Sequence, residues 1–525
     1  APAWDSETVY NYNDVVSFDN GHTYRCIGTN IVGADHAPNI NGVDNEAEWT
    51  RITVAPDGYF EVDENGDLMP MITPITSEIF MLDENGDIMY QEDIDLEPVP
   101  SDYDYSKIEF VNSIADLRNS QISSIKDYVY VVGYYGAGTP GGGLFYRDTT
   151  STEADNNGTI IVDGNGVRWK RANVHEQYYA SWFGVSTHLE DNSPLIQNAL
   201  NVIPSGSVLI FGPGIYQCKQ TITIPDHPNT STHVKSITIE GSANLNTRYY
   251  QSDMTILKYT GPNSQALTPF IDFRGSTKDK WFVGAIRGIE FVGTGSADNI
   301  IGLLFDFCIE TIFENIYVNK FKNGIQINGH YYYCEFNNVM CIGCHCGIKT
   351  NSIGNYSVFN NCMFHSCNTG FNGNTSGSFC EGINFYDCYF EANQIDIEYT
   401  IMTYLGLHNC YFEGNSDYSI YIHSNSVQTK ALLVLENSWI FPTTDLMSNK
   451  GFIKQDIGNN KTLCYIVNNN YIYNPVITLD YFIYVANGEA IIEAKNNVMS
   501  NLNNTYPLCS KTPLETSYFN NDFSQ

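Results

Sequence analysis

The feature that most constrains this chain is a repeat in its second half. The segments IRGIEFV, FENIYVN, FNNVMCI, FNNCMFH, FYDCYFE, LHNCYFE, LENSWIF, VNNNYIY and AKNNVMS begin at residues 286, 313, 336, 359, 385, 407, 435, 467 and 494. Their third position is Asn315, Asn338, Asn361, Asp387, Asn409, Asn437, Asn469 and Asn496 from the second segment onward. After several of them comes a second short segment led by Gly, at Gly324, Gly347 and Gly370. A helical solenoid of similar period would place apolar residues 3.6 apart, whereas these segments alternate with period two. A unit this short cannot bury its apolar side chains alone, so successive units must stack. Short strands, variable loops and one polar residue at a fixed bend predict an all-β chain built on a right-handed, single-stranded parallel β-helix. A buried Asn at the bend would bond to backbone and to the next Asn, satisfying groups that a sharp turn orphans.

Alternation then assigns faces. In the strand that follows Asp387, Cys388 and Phe390 share one side with Cys362, Phe364, Cys410 and Phe412 of neighbouring units, which is the interior. The outer side carries two columns. One runs Tyr317, Met340, Met363, Tyr389, Tyr411, Trp439, Tyr471, and the other Asn319, Ile342, His365, Glu391, Glu413, Phe441, Tyr473. Hydrogen-bonded strands lie about 4.8 Å apart, so Glu391 and Glu413 are expected side by side. Paired carboxylates serve glycoside hydrolysis, one as acid and the other as base or nucleophile. Flat rings at Tyr389, Tyr411 and Trp439, with His365, would line sugar subsites. Asp396 and Glu398 at the next bend are the alternative catalytic pair, with Asp417 and Glu381 in nearby loops. The same columns also suit a subunit interface, with both glutamates merely bonding turn amides. His345, His408 and His423 read as structural or rim residues.

Composition narrows the partners. The formal charge of −33 repels nucleic acid, and no apolar run approaches the length of a membrane span. Fourteen cysteines suggest disulfides or a metal, yet nine lie between 334 and 410 and several recur at one repeat position. They read as buried thiols packed like small hydrophobes in a chain folded under reducing conditions. Cys341, Cys344 and Cys346 lack a second CxxC at zinc-ribbon spacing, so neither metal nor cofactor is expected. The chain opens Ala-Pro-Ala without Met, which reads as a fragment or a processed product.

Upstream, residues 1–53 form a small β-module bounded by Trp4 and Trp49. Its Trp4, Tyr10, Asp14, Val15, Gly21, Tyr24 and Trp49 resemble the pattern of small chitin- and cellulose-binding modules. Those aromatics are either a sugar platform or the core of a tiny domain. Residues 54–105 hold two Asp-Glu-Asn-Gly-Asp hairpins and an acidic linker. Residues 106–180 make a neck domain around the Gly-rich GYYGAGTPGGG, 181–500 the β-helix, and 501–525 a tail. The Gly-rich loop lacks the Lys-Ser/Thr of a phosphate cradle.

The neck sequence FVNSIADLRN…GYYGAGTPGGGLFYRD…DGNGVRWKR, the opening ASWFGV…DNSPLIQNALN…VLIFGPGIY and the Asn-marked coils together resemble bacteriophage tailspike depolymerases of the pectate-lyase-like β-helix superfamily. Val185 stands where Ala is usual in that opening. The resemblance implies a homotrimer, an N-terminal part tied to the phage tail or baseplate, and extracellular cleavage of capsular or O-antigen polysaccharide at the bacterial surface. Hydrolysis, β-elimination and receptor binding without cleavage are all compatible with it. It fixes no catalytic position, so Glu391 and Glu413 rest on the column argument.

Overall fold

The computed structural model describes residues 107–519 apart from 173, 243–252, 278, 352–353, 374–381, 401–402, 415–417, 425–429, 442–450, 459–460, 473–480, 500–508 and 512. Before 107 it describes residue 5 and the backbone of short strands between 15 and 89. Two compact units divide the chain, residues 1–104 and 105–525. In the first, Val15–Ser17, Thr23–Cys26 and Trp49–Ile52 form an antiparallel sheet. Phe60–Val62 pairs with Leu68–Pro70, and Met81–Leu82 with Ile88–Met89, both antiparallel across an Asp-Glu-Asn-Gly-Asp stretch. The aromatic side chains of the first module and the acidic linker lie outside the described residues.

The second unit opens with a five-stranded sheet made from Ile108–Val111, Tyr128–Val131, Gly143–Asp148, Arg168–Arg171 and Ile160–Val162, in that spatial order. Ile114 and Leu117, from a short helix capped by Ser113, pack on Val129, Val131, Phe145, Ile161 and Trp169. The Gly-rich loop has a structural duty here. Arg171 is buried over the rings of Phe145 and Trp182 and donates to the carbonyls of Gly141 and Gly142. A Cβ at Gly142 would stand 2.4 Å from the Val131 carbonyl, so the loop closes over the guanidinium only as glycine.

Helix Ser193–Val202 then covers the first coil, and Lys235 donates to the Leu200, Asn201 and Ile203 carbonyls at its C-terminal end. A cation there complements the helix dipole. From Gln177 the chain winds through three long parallel sheets, with 13, 11 and 10 strands among the described residues. Between the end turns each coil contributes one strand to each, as in Ile383–Tyr386, Tyr389–Glu391 and Ile395–Thr400. Phenylalanines stack along the axis inside: Phe313, Phe336, Phe359 and Phe385 at 4.5, 4.3 and 4.5 Å, and Phe364, Phe390 and Phe412 at 5.1 and 5.0 Å. Cys362, Cys388 and Cys410 are buried and free beside them.

The repeated Asn marks a left-handed turn. Asn315, Asn338, Asn361, Asp387, Asn409, Asn437, Asn469 and Asn496 all have φ between 50 and 56°. That region is tolerated by Asn and Asp and costs most other residues. The side chains form a ladder, Asn338 donating to Asn315 at 3.0 Å and Asn361 to Asn338 at 2.6 Å. The expectation of a buried Asn is corrected, since Asn361, Asn409, Asn437, Asn469 and Asn496 are exposed on the outside of the bend. The buried polar ladder runs through the next residue instead. The Cys410 amide donates to Ser438 Oγ, the Ser438 amide to Asn470 Oδ1, and the Asn470 amide to Asn497 Oδ1.

Candidate active site

The second sheet carries the outer columns in the expected register. Met363, Tyr389, Tyr411, Trp439 and Tyr471 pair in sequence, and beside them His365, Glu391, Glu413 and Phe441. Glu391 and Glu413 are direct cross-strand neighbours, each the last residue of a three-residue strand. They stay outward because Phe390 and Phe412 take the core side of the same strands. A second left-handed turn, through Ser366, Ala392 and Gly414, follows this column and lifts it to the edge of a corner.

The two carboxylates differ in company. Tyr411 donates its hydroxyl to Glu413 Oε2 at 2.5 Å. Burial, followed by the bond to Glu413 and the charges of Glu413 and Glu391, pushes the Tyr411 phenol up to about 12. Glu391 has His365 Nε2 at 3.9 Å. Rings surround the pair: Tyr389–Tyr411 at 6.0 Å, Tyr411–Phe441 at 5.6 Å, Trp439–Phe441 at 6.0 Å and Trp439–Tyr471 at 5.2 Å. Tyr389 and Trp439 are about half exposed, at 47% and 52%. Together they make an aromatic shelf with two carboxylates along one edge.

Part of the column expectation is corrected. Tyr317 and Met340 face outward but are only 4% exposed, packed with Met254 and Ile256. Ile256 stands in the same column two coils earlier, in register through Glu290, with Met254 two residues before it. Glu290, the register partner of Tyr317, was not singled out by sequence. It is buried, bonded to Asn319, and its carboxyl is pushed up by burial.

The alternative pair separates. Asp396 is fully buried, so it cannot meet a polymer, and this corrects its candidacy. Burial pushes its carboxyl up to about 7, while Asn393 donates to Oδ1 at 2.9 Å. Glu398 faces outward on the third sheet, accepting from Asn372 at 2.8 Å and lying 3.2 Å from His423 Nε2. Asp417, Glu381 and Tyr473 lie outside the described residues. His408 stacks on Tyr386 at 4.9 Å and stands 3.5 Å from Glu436 on the first sheet. Sequence reasoning missed Phe441 as a ring of the shelf, although it was already on the carboxylate column.

Residues 110–174 match the family model of the phage tail protein small four-stranded beta-sheet domain. No curated protein matches the chain significantly. Among solved structures, the tailspike protein of Acinetobacter phage vB_ApiP_P1 is similar, at 15% identity over 73% of this chain and 70% of that one, with a TM-score of 0.49. The gp49 tailspike of Acinetobacter baumannii bacteriophage Fri1, described as a capsular polysaccharide depolymerase, aligns at 12% identity over 79% and 76%, also at 0.49. The enzymatically active domain of tailspike protein 4 from bacteriophage CBA120 aligns at 14% identity over 99% of this chain and 63% of that one, at 0.44.

Proposed function

We propose that this protein is a phage tailspike depolymerase, an endo-acting glycoside hydrolase that cuts bacterial capsular or O-antigen polysaccharide during host recognition. The observation that carries the reading is the in-register pair Glu391 and Glu413 beside an exposed aromatic shelf. The phage tail domain at 110–174 supports a place on the virion, with action outside the cell. Glu413, which accepts the Tyr411 hydroxyl, takes the role of base or nucleophile. Glu391 then gives its proton to the leaving glycosidic oxygen, while water or Glu413 takes the anomeric carbon. Tyr389, Tyr411 and Trp439 hold sugar faces, and His365 steadies Glu391.

A lyase needs a cation to stabilise the enolate. Lys349 and Lys454 sit on the third sheet rather than in the glutamate column, so β-elimination ranks second. Receptor binding without cleavage uses the same shelf and ranks third. Purified capsular polysaccharide incubated with the protein separates all three. Shortened chains with new reducing ends are expected. Ultraviolet-absorbing unsaturated ends would replace the hydrolase by a lyase, and unchanged polymer that stays bound would leave only a receptor.

A homotrimer accords with the exposed column, since apolar surface of this kind seeks cover and three sites on a repeating polymer gain avidity. Three copies of the 59.0 kDa chain should sediment near 177 kDa. A clean monomer at micromolar concentration would reject that assembly.

A further inference from the structure

The outward face of the third sheet carries a second cluster that the proposed reaction does not use. One column there runs Gln326, Lys349, Asn372, Glu398, Tyr421, Lys454 and Tyr484. Its carboxylates are already engaged: Glu398 by Asn372 and His423, and nearby Asp456 by Asn487 at 2.7 Å and the Tyr421 hydroxyl at 3.4 Å. Its cations have no ion-pair partner among the described residues. Lys454 Nζ lies 4.0 Å from the Tyr421 ring centre and 5.1 Å from that of Tyr418. Among the described residues, neither Lys454 nor Lys349 is paired with a carboxylate.

That is an unusual arrangement in a chain of net charge −33. Ring faces hold an ammonium in place without consuming its three donors. A cation positioned in this way keeps its donors for an incoming anion, while Glu398 and Asp456 keep their charge nearby and restrict that anion to the lysine ends of the column. Four strand spacings separate Lys349 from Lys454, roughly 19 Å at about 4.8 Å each. Two cations along one line at that separation suit a polymer with an acidic group at intervals, and not a small free anion.

We propose that this face binds an acidic polysaccharide, with a sugar carboxylate at Lys454 and a further one toward Lys349. The proposal rests on the reading that the ligand is a bacterial surface polysaccharide, and it narrows that ligand to the acidic class. It leaves cleavage to the second sheet.

The test uses the full chain carrying Glu391→Gln and Glu413→Gln, on an array of purified acidic and neutral capsular polysaccharides. Each acidic polymer is also presented with its carboxyl groups reduced to alcohols. At least one acidic polymer should be retained, and its reduced form about tenfold more weakly, a difference near 1.4 kcal/mol. Adding Lys454→Gln should weaken the acidic form by a similar factor and barely change the reduced one. Lys349→Gln, at a partly exposed side chain, should give a smaller loss in the same sense. Capture of neutral polymers only, capture of none, equal binding of native and reduced forms, or an equal loss on both from Lys454→Gln would each overturn the proposal. An acidic polymer captured in this way but left uncut by the unmodified protein would sink the hydrolase reading and leave this one standing.

Discussion

Two stretches of one column on the second sheet occupy equivalent positions and end differently. Tyr317 and Met340 are 4% exposed, whereas Tyr389, Trp439 and Tyr471 in later coils are 47%, 52% and 36% exposed. Register and facing are the same in both. The difference is the company, because Ile256, two coils earlier in the same column, and Met254 cluster with Tyr317 and Met340. An outward position on a β-helix is therefore not yet a surface. In the earlier coils the column's own side chains are sealed together as a small satellite core. In the later coils large rings stay in water beside Glu391 and Glu413.

The contrast can be broken most strongly at its buried end. Met340→Ala should cost about 2–5 kcal/mol of stability, because it leaves a cavity beside Tyr317 in the buried cluster the two share. The melting temperature should fall while polysaccharide binding at the permissive temperature holds. The reverse pattern belongs to the open end. Trp439→Ala should leave stability within about 0.5 kcal/mol, as surface changes usually do. It should weaken polysaccharide binding about tenfold, or 1.4 kcal/mol, read by retention of the uncleaved polymer. If Trp439→Ala unfolds the protein, or if Met340→Ala alone abolishes binding, the division of the column is wrong.

A smaller effect sharpens the same distinction within a single coil, where Glu391 faces water and Asp396 faces the core. The Asp396 carboxyl titrates at about 7 in the fold, against roughly 3.9 when unfolded. Between those values the folded state holds the extra proton, so this group's contribution is fully present below about pH 4. It is lost as pH rises toward 7. Asp396→Asn keeps the shape and an acceptor for Asn393, so its melting temperature should decline less over that pH interval than that of the parent. Parallel pH profiles would remove Asp396 as a titrating group.

The sequence carried the coil because its rules are local. Asn recurs where φ is positive, and Phe and Cys alternate with outward residues, so the register of Glu391 against Glu413 could be read from the repeat alone. It did not reveal which side of the bend the Asn occupies, since hydrogen bonding satisfies either placement. The second left-handed turn escaped notice because Gly343, Ser366, Ala392 and Gly414 share no common residue type. Asp396 looked like a surface acid, since charge normally marks exposure, and only the surrounding coils show it sealed inside. The burial of Tyr317 and Met340 was not legible because Ile256, an earlier member of their column, lies ahead of the first repeat segment at 286.

The central claim is that the carboxylates standing side by side in the open column do the cutting. The direct measurement is the size distribution of purified capsular polysaccharide after treatment with Glu391→Gln and, separately, Glu413→Gln protein, each first shown to fold like the parent. Both should leave the polymer near its starting length, with turnover reduced at least about a hundredfold, as loss of a general acid or base requires. Polymer shortened at the parental rate by both variants would contradict the account and move the search for the catalytic group to Glu398.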